Sequence, residues 1–183
     1  MSQDPFAEFK SRQREMWSTF APTAMFTTPV AGHLVRFAQV AQGETVLDVG
    51  TGTGVLAIAL AKRTHLPVLA SDIDPIAVTT TVENARDNGV GRYIIAIEAT
   101  GLEHRQIAAS APYDMIVANI LAGPLVALAP GMRKVAGMGA TVILSGILNT
   151  QANRVITAYS RQGLVLRQRI VKKEWTTLVL ERV

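Results

Sequence analysis

The sequence predicts an α/β protein with a Rossmann-like, doubly wound sheet of seven mostly parallel strands and an antiparallel pair of strands at the C-terminal edge. Short apolar segments alternate with amphipathic ones from about residue 45 onward, which implies right-handed crossovers between parallel strands. A glycine-rich turn follows the first apolar segment. The last two apolar segments have no helix between them, so we expect them to form an antiparallel edge.

The elements follow from this alternation and from the residues that punctuate it. The first strand follows the Gly43-Glu44 turn, and the helix after Asp74-Pro75 has a capping acid and a proline at its first position. Strands are predicted at 45–49, 67–72, 93–98, 113–118, 140–145, 164–171 and 176–181, and helices at 54–63, 75–88, 102–108, 123–135 and 151–162.

Residues 1–44 are predicted to form a helical extension, and residues 45–183 a single ligand-binding domain. The segment 5–20 carries apolar side chains at near-helical spacing, among them Phe9, Met16 and Trp17. A second helix is expected from Pro29 to about residue 41. Two interpretations stay open for the extension: a cap that packs on the domain, or a lid that recognises a substrate.

The composition excludes several classes of protein and of functional site. With 49% hydrophobic and 17% charged residues it is globular, and no apolar run reaches the ~18 residues of a membrane helix. The absence of cysteine excludes disulfides, thiolate zinc sites and cysteine nucleophiles, and fits a cytoplasmic enzyme. The net charge of +4 comes without a basic stripe bearing aromatic residues, so direct nucleic-acid binding is not expected. The three histidines lack metal-ligand spacing, so no metal is expected.

The glycine-rich turn, Asp48 to Gly54, fits two classes of cofactor when taken alone. Gly52, Gly54 and Ala57 satisfy the loose dinucleotide pattern G-x-G-x-x-A. From Asp48 the spacing is D-x-G-x-G-x-G, which is typical of methyltransferases that use S-adenosylmethionine. We expect the turn to admit the amino-acid part of that cofactor against bare backbone, with Asp48 near its ammonium group. The predicted cofactor-binding residues of the turn are Asp48, Gly50, Thr51, Gly52 and Gly54.

Two acids follow the second predicted strand. Asp72 ends that strand about 20 residues beyond the glycines, where an acid can accept hydrogen bonds from both ribose hydroxyls. We expect Asp72 to bind the ribose and Asp74 to cap the next helix. Both cofactor classes predict such an acid, so it does not separate a methyltransferase from a dehydrogenase.

Asn119 does separate a methyltransferase from a dehydrogenase, because it is a polar residue directly after the apolar run Ile116-Val117-Ala118. Its amide oxygen and the neighbouring carbonyls can hold an incoming amine, a group that hydride transfer does not need. We therefore predict that Asn119 is a catalytic residue that also faces the cofactor. A cap for the next helix is the alternative.

These residues resemble the catalytic domain of the ribosomal protein L11 methyltransferases (PrmA). Asn119-Ile120-Leu121, in place of the commoner Asn-Pro-Pro-Tyr/Phe, is the most telling part of the resemblance. The segments that carry it are 47–59, 72–75, 83–85, 88–90, 113–125, 144–148 and 174–176. The family's separate N-terminal substrate-recognition domain is not expected within residues 1–44.

The resemblance implies a class I methyltransferase fold and methyl transfer from S-adenosylmethionine to lysine side chains and α-amino groups of a protein, with a ribosomal protein as the family substrate. It implies that Ile73 and Thr100 join the cofactor site, with Thr100 in a turn beside the adenine. Phe26, Thr27 and Thr28 would stand on the substrate side.

Three other functions stay open. The acceptor could be a small molecule, with the N-terminal helices as a lid. The chain could bind S-adenosylmethionine without turnover, or it could be a nicotinamide-dependent reductase. No residue is predicted to be a general base, and the oligomeric state is open.

Overall fold

The computed structural model describes residues 43–183, which form one continuous sheet flanked by helices. The helices predicted within residues 1–42 lie outside this range. So do Phe26, Thr27 and Thr28, the residues predicted on the substrate side.

Strands and helices alternate as predicted until the closing strand pair, and all seven predicted strands are confirmed. The elements are β1 (Val46–Val49), α1 (Val55–Thr64), β2 (Val68–Asp72), α2 (Pro75–Asp87), β3 (Ile94–Glu98), α3 (Arg105–Ser110), β4 (Tyr113–Asn119), α4 (Ala122–Val135), β5 (Ala136–Leu148), α5 (Ala152–Ser160), β6 (Leu164–Lys172) and β7 (Trp175–Arg182), with a 3-10 turn at Gly91–Tyr93.

The sheet order is β3-β2-β1-β4-β5-β7-β6, in which β7 runs antiparallel to both β5 and β6. The chain builds outward from β1 to β3 and then crosses back to β4. The strand order therefore reverses between β1 and β4, where an open α/β sheet has its ligand crevice. Val49 pairs with Ala118, so Gly50 and Asn119 follow on neighbouring strands at that point.

Two apolar clusters hold the layers together, one on each face of the sheet. On one face Leu47 and Ile116 are buried with residues of α4 and α5. On the other, Val46 and Met115 are buried with residues of α1 and α2. Successive residues of one strand enter opposite clusters because strand side chains alternate between faces. Full burial of each large aliphatic side chain contributes about 1.5–3 kcal/mol.

Two element boundaries differ from the prediction for identifiable reasons. β5 extends well beyond residues 140–145, because Ala136 pairs with Tyr113 and Leu148 pairs with Trp175. The short helix predicted at 102–108 begins only at Arg105, after His104, whose Nδ1 accepts a hydrogen bond from the Gln106 amide at 3.2 Å.

Candidate functional site

The glycine-rich turn joins β1 to α1 and is hydrogen-bonded to the end of β2. The amides of Gly50 and Thr51 both donate to the Ser71 carbonyl, at 2.8 and 3.0 Å. Gly50, Gly52 and Gly54 have φ values of 69°, 57° and 82°. Glycine adopts this left-handed region without the steric cost that other residues incur, so the three alternating glycines allow the turn its shape.

Asp48 is buried at the base of the turn, with 1% of its surface exposed. Its Oδ2 accepts hydrogen bonds from the Thr51 hydroxyl at 2.8 Å and from the Ala57 amide at 3.2 Å, which ties the turn to α1. Its Oδ1 has no hydrogen-bond partner within residues 43–183. Burial raises the pKa of Asp48 to about 7, although the bonds from Thr51 and Ala57 oppose that rise. Asp48 therefore shapes the turn with one oxygen, while its other oxygen is left without a partner in this part of the chain.

The predicted role of Asp74 as the cap of the second helix is confirmed. Asp74 caps α2, since its side chain accepts a hydrogen bond from the Ile76 amide at 3.0 Å. Asp72 accepts from the Gly52 amide at 2.8 Å and from the Asp74 amide at 3.0 Å. Burial raises the pKa of Asp72. Its carboxylate braces the turn from the end of β2, at the edge where a ribose is predicted to bind.

Sequence reasoning missed two residues of α2 that hold the turn from its far side. The Thr81 hydroxyl donates to the Gly52 carbonyl at 3.1 Å, and the Asn84 side-chain amide donates to the Thr53 carbonyl at 2.8 Å. Thr81 is fully buried, whereas Thr79 in the same helix is exposed. The signal in the sequence was a row of three threonines, which does not reveal which one faces the turn.

The turn is open to a ligand at Gly52. A Cβ added at Gly52 would meet no atom within 4 Å, whereas one added at Gly54 would lie 2.9 Å from Thr81 Cγ2. The middle of the turn therefore presents bare backbone to open space, and its last glycine is packed against α2.

Asn119 is half-buried at the end of β4, and its side chain makes no hydrogen bond to any residue in 43–183. The N-cap of α4 is Leu121, so the alternative of Asn119 as the helix cap is wrong. The Ile120 carbonyl also lacks a donor in this part of the chain. Pro124 stands four residues after Ile120, where an amide would otherwise donate to that carbonyl, and proline has no N–H.

Ile73 and Thr100 complete the carboxyl edge of the sheet. Ile73 directly follows β2 and is partly exposed, and Thr100 is exposed just beyond β3. The Ala99 amide donates to the Asp72 carbonyl at 2.8 Å, which holds the two strand ends together. All predicted cofactor residues among residues 43–183 thus lie in the turn, at the carboxyl ends of β2 and β4, or just beyond the ends of β2 and β3.

A cavity of about 530 Å³ lies elsewhere, at the amino end of β4 and β5. Its lining includes Asp114, Met138 and the ion pair that Arg167 and Glu181 form at 2.9 Å. None of the predicted site residues lines it. We assign the candidate site to the carboxyl edge, because the unpartnered polar atoms of Asp48 and Asn119 are there.

None of the helices within residues 43–183 has the length and apolar character that a membrane span requires. No three or more His, Asp or Glu side chains in that range cluster so that they could hold a metal ion.

Comparison with known proteins identifies close relatives of this chain. The family model described as ribosomal protein L11 methyltransferase (PrmA) matches residues 32–183. A ribosomal protein L11 methyltransferase of Brucella suis is 46% identical over 135 residues, which are 74% of this chain and 47% of that protein. One of Rhodopseudomonas palustris is 50% identical over 138 residues, which are 75% of this chain and 47% of that protein. The chain thus spans about half the length of the curated relatives it matches.

Solved structures share the fold. A ribosomal protein L11 methylase from Lactobacillus delbrueckii subsp. bulgaricus superposes with a TM-score of 0.77 at 31% identity, covering 85% of this chain and 79% of that one. An RNA methyltransferase from Salinibacter ruber, in complex with S-adenosyl-L-homocysteine, has a TM-score of 0.68 at 17% identity. It covers 84% of this chain and 90% of the other, and at that identity the likeness concerns the fold alone.

Proposed function

Because the chain belongs to the ribosomal protein L11 methyltransferase (PrmA) family, we propose that it transfers methyl groups from S-adenosylmethionine to amines of a protein. The proposed acceptor is a ribosomal protein, carrying lysine side chains or an α-amino group, and such a substrate would put the reaction in the cytoplasm. Residues 45–183 are the proposed methyltransferase domain, and residues 1–44 its helical cap or lid, with Phe26, Thr27 and Thr28 on the acceptor side.

The observation that carries the proposal is the pair of unpartnered acceptors beside the glycine-rich turn. The Asn119 side chain and the Ile120 carbonyl make no hydrogen bonds within residues 43–183, at the point where the strand order reverses. Two acceptor oxygens suit an amine, which offers two N–H groups once it is neutral. A nicotinamide-dependent reductase gives no reason for acceptors there.

The residues of the carboxyl edge fit S-adenosylmethionine. Gly52 offers bare backbone with open space in front of it. Asp48, whose buried Oδ1 has no partner within residues 43–183, is proposed to lie near the ammonium group. Asp72 keeps lone pairs for ribose hydroxyls beside the two amides that it already accepts from. Ile73 and Thr100 are the proposed neighbours of the adenosine part. When bound, S-adenosylmethionine supplies an activated methyl group on a sulfonium that becomes a neutral thioether as the methyl leaves.

The contribution of the chain to this reaction is alignment and exclusion of water. Asn119 Oδ1 and the Ile120 carbonyl would each accept one N–H of the amine, which turns its lone pair toward the methyl group. The amine must be neutral to attack, so its proton is released to solvent before transfer. Removal of the amine from water lowers its pKa toward the neutral state, and this desolvation acts against the two acceptor oxygens, which favour the charged form. We assign no residue of 43–183 as a general base.

Binding is tested first, by calorimetric titration with S-adenosylhomocysteine and separately with NADH. Binding of S-adenosylhomocysteine alone supports the proposal. Binding of NADH alone refutes it in favour of the reductase.

Turnover is tested by transfer of a tritiated methyl group into purified ribosomal protein L11 and into cell lysate. We expect label in the ribosomal protein. Label in small molecules alone would support a small-molecule methyltransferase with residues 1–44 as its lid. Binding without any label would leave a module that binds the cofactor without turnover.

The role of Asn119 is tested by Asn119→Ala. Loss of one of the two oxygens that orient the amine should lower kcat about 10²-fold, with the affinity for S-adenosylhomocysteine nearly unchanged. Asn153→Ala, an exposed position on α5, is the matched control and should leave both quantities unchanged. Equal activity of the Asn119 and Asn153 variants would remove Asn119 from the site.

A further inference from the structure

Ile120, the residue after Asn119, lies between two glycines from different parts of the sheet. Gly50 begins the turn after β1, and Gly146 lies within β5. Both have positive φ, 69° and 78°. Neither glycine has room for a Cβ, and in each case the atom in the way belongs to Ile120.

On the cofactor side, the contact is made by the Ile120 side chain. A Cβ added at Gly50 would lie 2.4 Å from Ile120 Cγ2, far inside van der Waals distance. The branched methyl group is attached to Cβ and cannot swing aside as the end of a long side chain can. The first glycine of the turn is therefore seated directly against this methyl group.

On the other side, the contact is made by the Ile120 backbone. A Cβ added at Gly146 would lie 2.7 Å from the Ile120 carbonyl oxygen and 3.2 Å from Asn119 Oδ1. The pairing of β5 with β7 is irregular between Leu144 and Ile147, a stretch that contains Gly146. Ser145, which pairs with Asn119, is anchored to β7 by a 3.2 Å hydrogen bond to Thr177. β5 thus lies close to both proposed amine acceptors, the Ile120 carbonyl and Asn119 Oδ1.

We propose that Ile120 is a positioning residue that couples the cofactor turn to the amine-binding oxygens. Its methyl group sets the distance to Gly50, and its carbonyl and Asn119 Oδ1 are held in place by Gly146. A shift of the turn is passed through the Ile120 side chain to the neighbouring Asn119. This inference rests on the proposed function for its catalytic meaning, although the contacts themselves do not.

Gly50 faces the Ile120 side chain, whereas Gly146 faces the Ile120 backbone, so substitutions can test the two contacts separately. Gly50→Ala should weaken binding of S-adenosylhomocysteine at least tenfold more than Gly89→Ala does. Gly89 has a similar φ of 72° but open space around its Cβ position, so it measures the backbone cost alone. Adding Ile120→Ala to Gly50→Ala should restore most of the affinity, because Cγ2 is then gone.

Gly146→Ala should behave differently, since its clash is with backbone. We expect it to lower kcat at least tenfold on the methylated protein and to leave the affinity for S-adenosylhomocysteine within about threefold. Ile120→Ala should not rescue it, because the carbonyl remains. Gly139→Ala is the matched control, on the same strand with φ 76° and no atom within 4 Å of its Cβ position.

Ile120→Val and Ile120→Ala serve if either glycine variant fails to fold. Valine keeps a methyl group at the Cγ2 position, so Ile120→Val should retain kcat within about threefold, whereas Ile120→Ala should lose at least tenfold. Equal kcat values for the two would overturn the positioning role. Rescue of Gly146→Ala by Ile120→Ala would also overturn it.

A readout without catalysis separates this inference from the proposed function. The side-chain amide resonance of Asn119, assigned from its loss in Asn119→Asp, should shift in Gly146→Ala and in Ile120→Ala but not in Gly139→Ala. If the protein binds no S-adenosylhomocysteine while this resonance shifts as expected, the proposed function fails and the coupling stands. If the resonance is the same in all of these variants, the coupling is refuted whether or not the protein binds the cofactor.

Discussion

Asp48 illustrates at the residue scale how one side chain serves both fold and site. Its Oδ2 accepts the Thr51 hydroxyl and the Ala57 amide and so closes the turn onto α1. Its Oδ1 is buried without a partner within residues 43–183. A buried, half-satisfied carboxyl group costs free energy in the ligand-free protein, and a cationic group of a ligand would relieve that cost.

The stability of the ligand-free protein should therefore depend on pH through Asp48. Unfolded, Asp48 releases its proton near the ordinary pKa of 3.8, whereas burial holds the folded pKa at about 7. Between these values the folded state binds more protons, so the Asp48 contribution to the free energy of unfolding falls as pH rises from about 4 to about 7 and is constant above. Asp48→Asn removes this pH dependence. Over that pH range the Asp48 contribution to the free energy of unfolding changes by up to about 4 kcal/mol.

Urea unfolding of the wild type and of Asp48→Asn at pH 5 and pH 8 measures this contribution. The difference between the two proteins isolates Asp48 from other carboxyl groups, such as Glu181, whose pKa is lowered by Arg167. We expect the variant to gain stability relative to the wild type on going from pH 5 to pH 8. A difference that does not change with pH would mean that Asp48 is not desolvated in the folded protein.

At the scale of elements, α2 is the support of the glycine-rich turn. The helix begins at the Asp74 cap and lays Thr81 and Asn84 against the carbonyls of Gly52 and Thr53. Asp72 holds the Gly52 amide from the opposite side. Because both polar groups of Gly52 are engaged by protein, the turn keeps its shape without a ligand, which is a form of preorganisation.

Thr81→Val should loosen this support. Valine keeps the volume and the methyl group of threonine but leaves the Gly52 carbonyl without its donor. We expect a loss of about 1–2 kcal/mol in the free energy of unfolding and weaker binding of S-adenosylhomocysteine. Thermal or urea unfolding and calorimetry measure the two effects.

Thr79→Val is the matched control for that substitution. Thr79 lies on the same helix, is exposed, and donates only to the Pro75 carbonyl within the helix. Its replacement should change stability by less than about 0.5 kcal/mol. Equal effects at the two positions would show that the Thr81 bond to the turn contributes nothing.

At the scale of the whole described domain, the strand order decides which parts are most stable. β1 lies between β2 and β4, and β4 lies between β1 and β5, so both have neighbours on each side. β3 and β6 are the edge strands and pair on one side only. The glycine-rich turn and Asn119 follow the ends of β1 and β4, which are held by neighbouring strands on both sides, so local opening there must disrupt two strand pairings.

Native-state hydrogen exchange should reproduce this order. Amides of Leu47 in β1 and of Ile116 in β4 should exchange only by global unfolding. Those of β6, such as Val165 and Ile170, should exchange at least about tenfold faster through local opening. Exchange of β6 amides as slow as that of Ile116 would contradict a stability gradient set by strand order.

Sequence pattern by itself determined the element types and their order, and it predicted where along the chain the candidate site lies. Alternating apolar and amphipathic segments predicted the strands and helices. The spacing of apolar residues within a segment shows which element can bury them, and that spacing is a property of the local sequence. The glycines at 50, 52 and 54 predicted a tight turn with left-handed backbone, and the structure confirms their positive φ values, because glycine adopts that backbone at the least steric cost. The capping role of Asp74 was likewise local, since a cap bonds an amide two residues away.

What only the tertiary structure decided is which distant residues meet. Nothing in the sequence marks Thr81 rather than Thr79 as the residue facing Gly52, since both occur in one threonine row. The wedging of Ile120 between Gly50 and Gly146 depends on the order β1-β4-β5 and on an irregularity in β5. Such contacts join residues about 26 to 70 positions apart, and they exist only once the sheet has brought its strand ends to one edge.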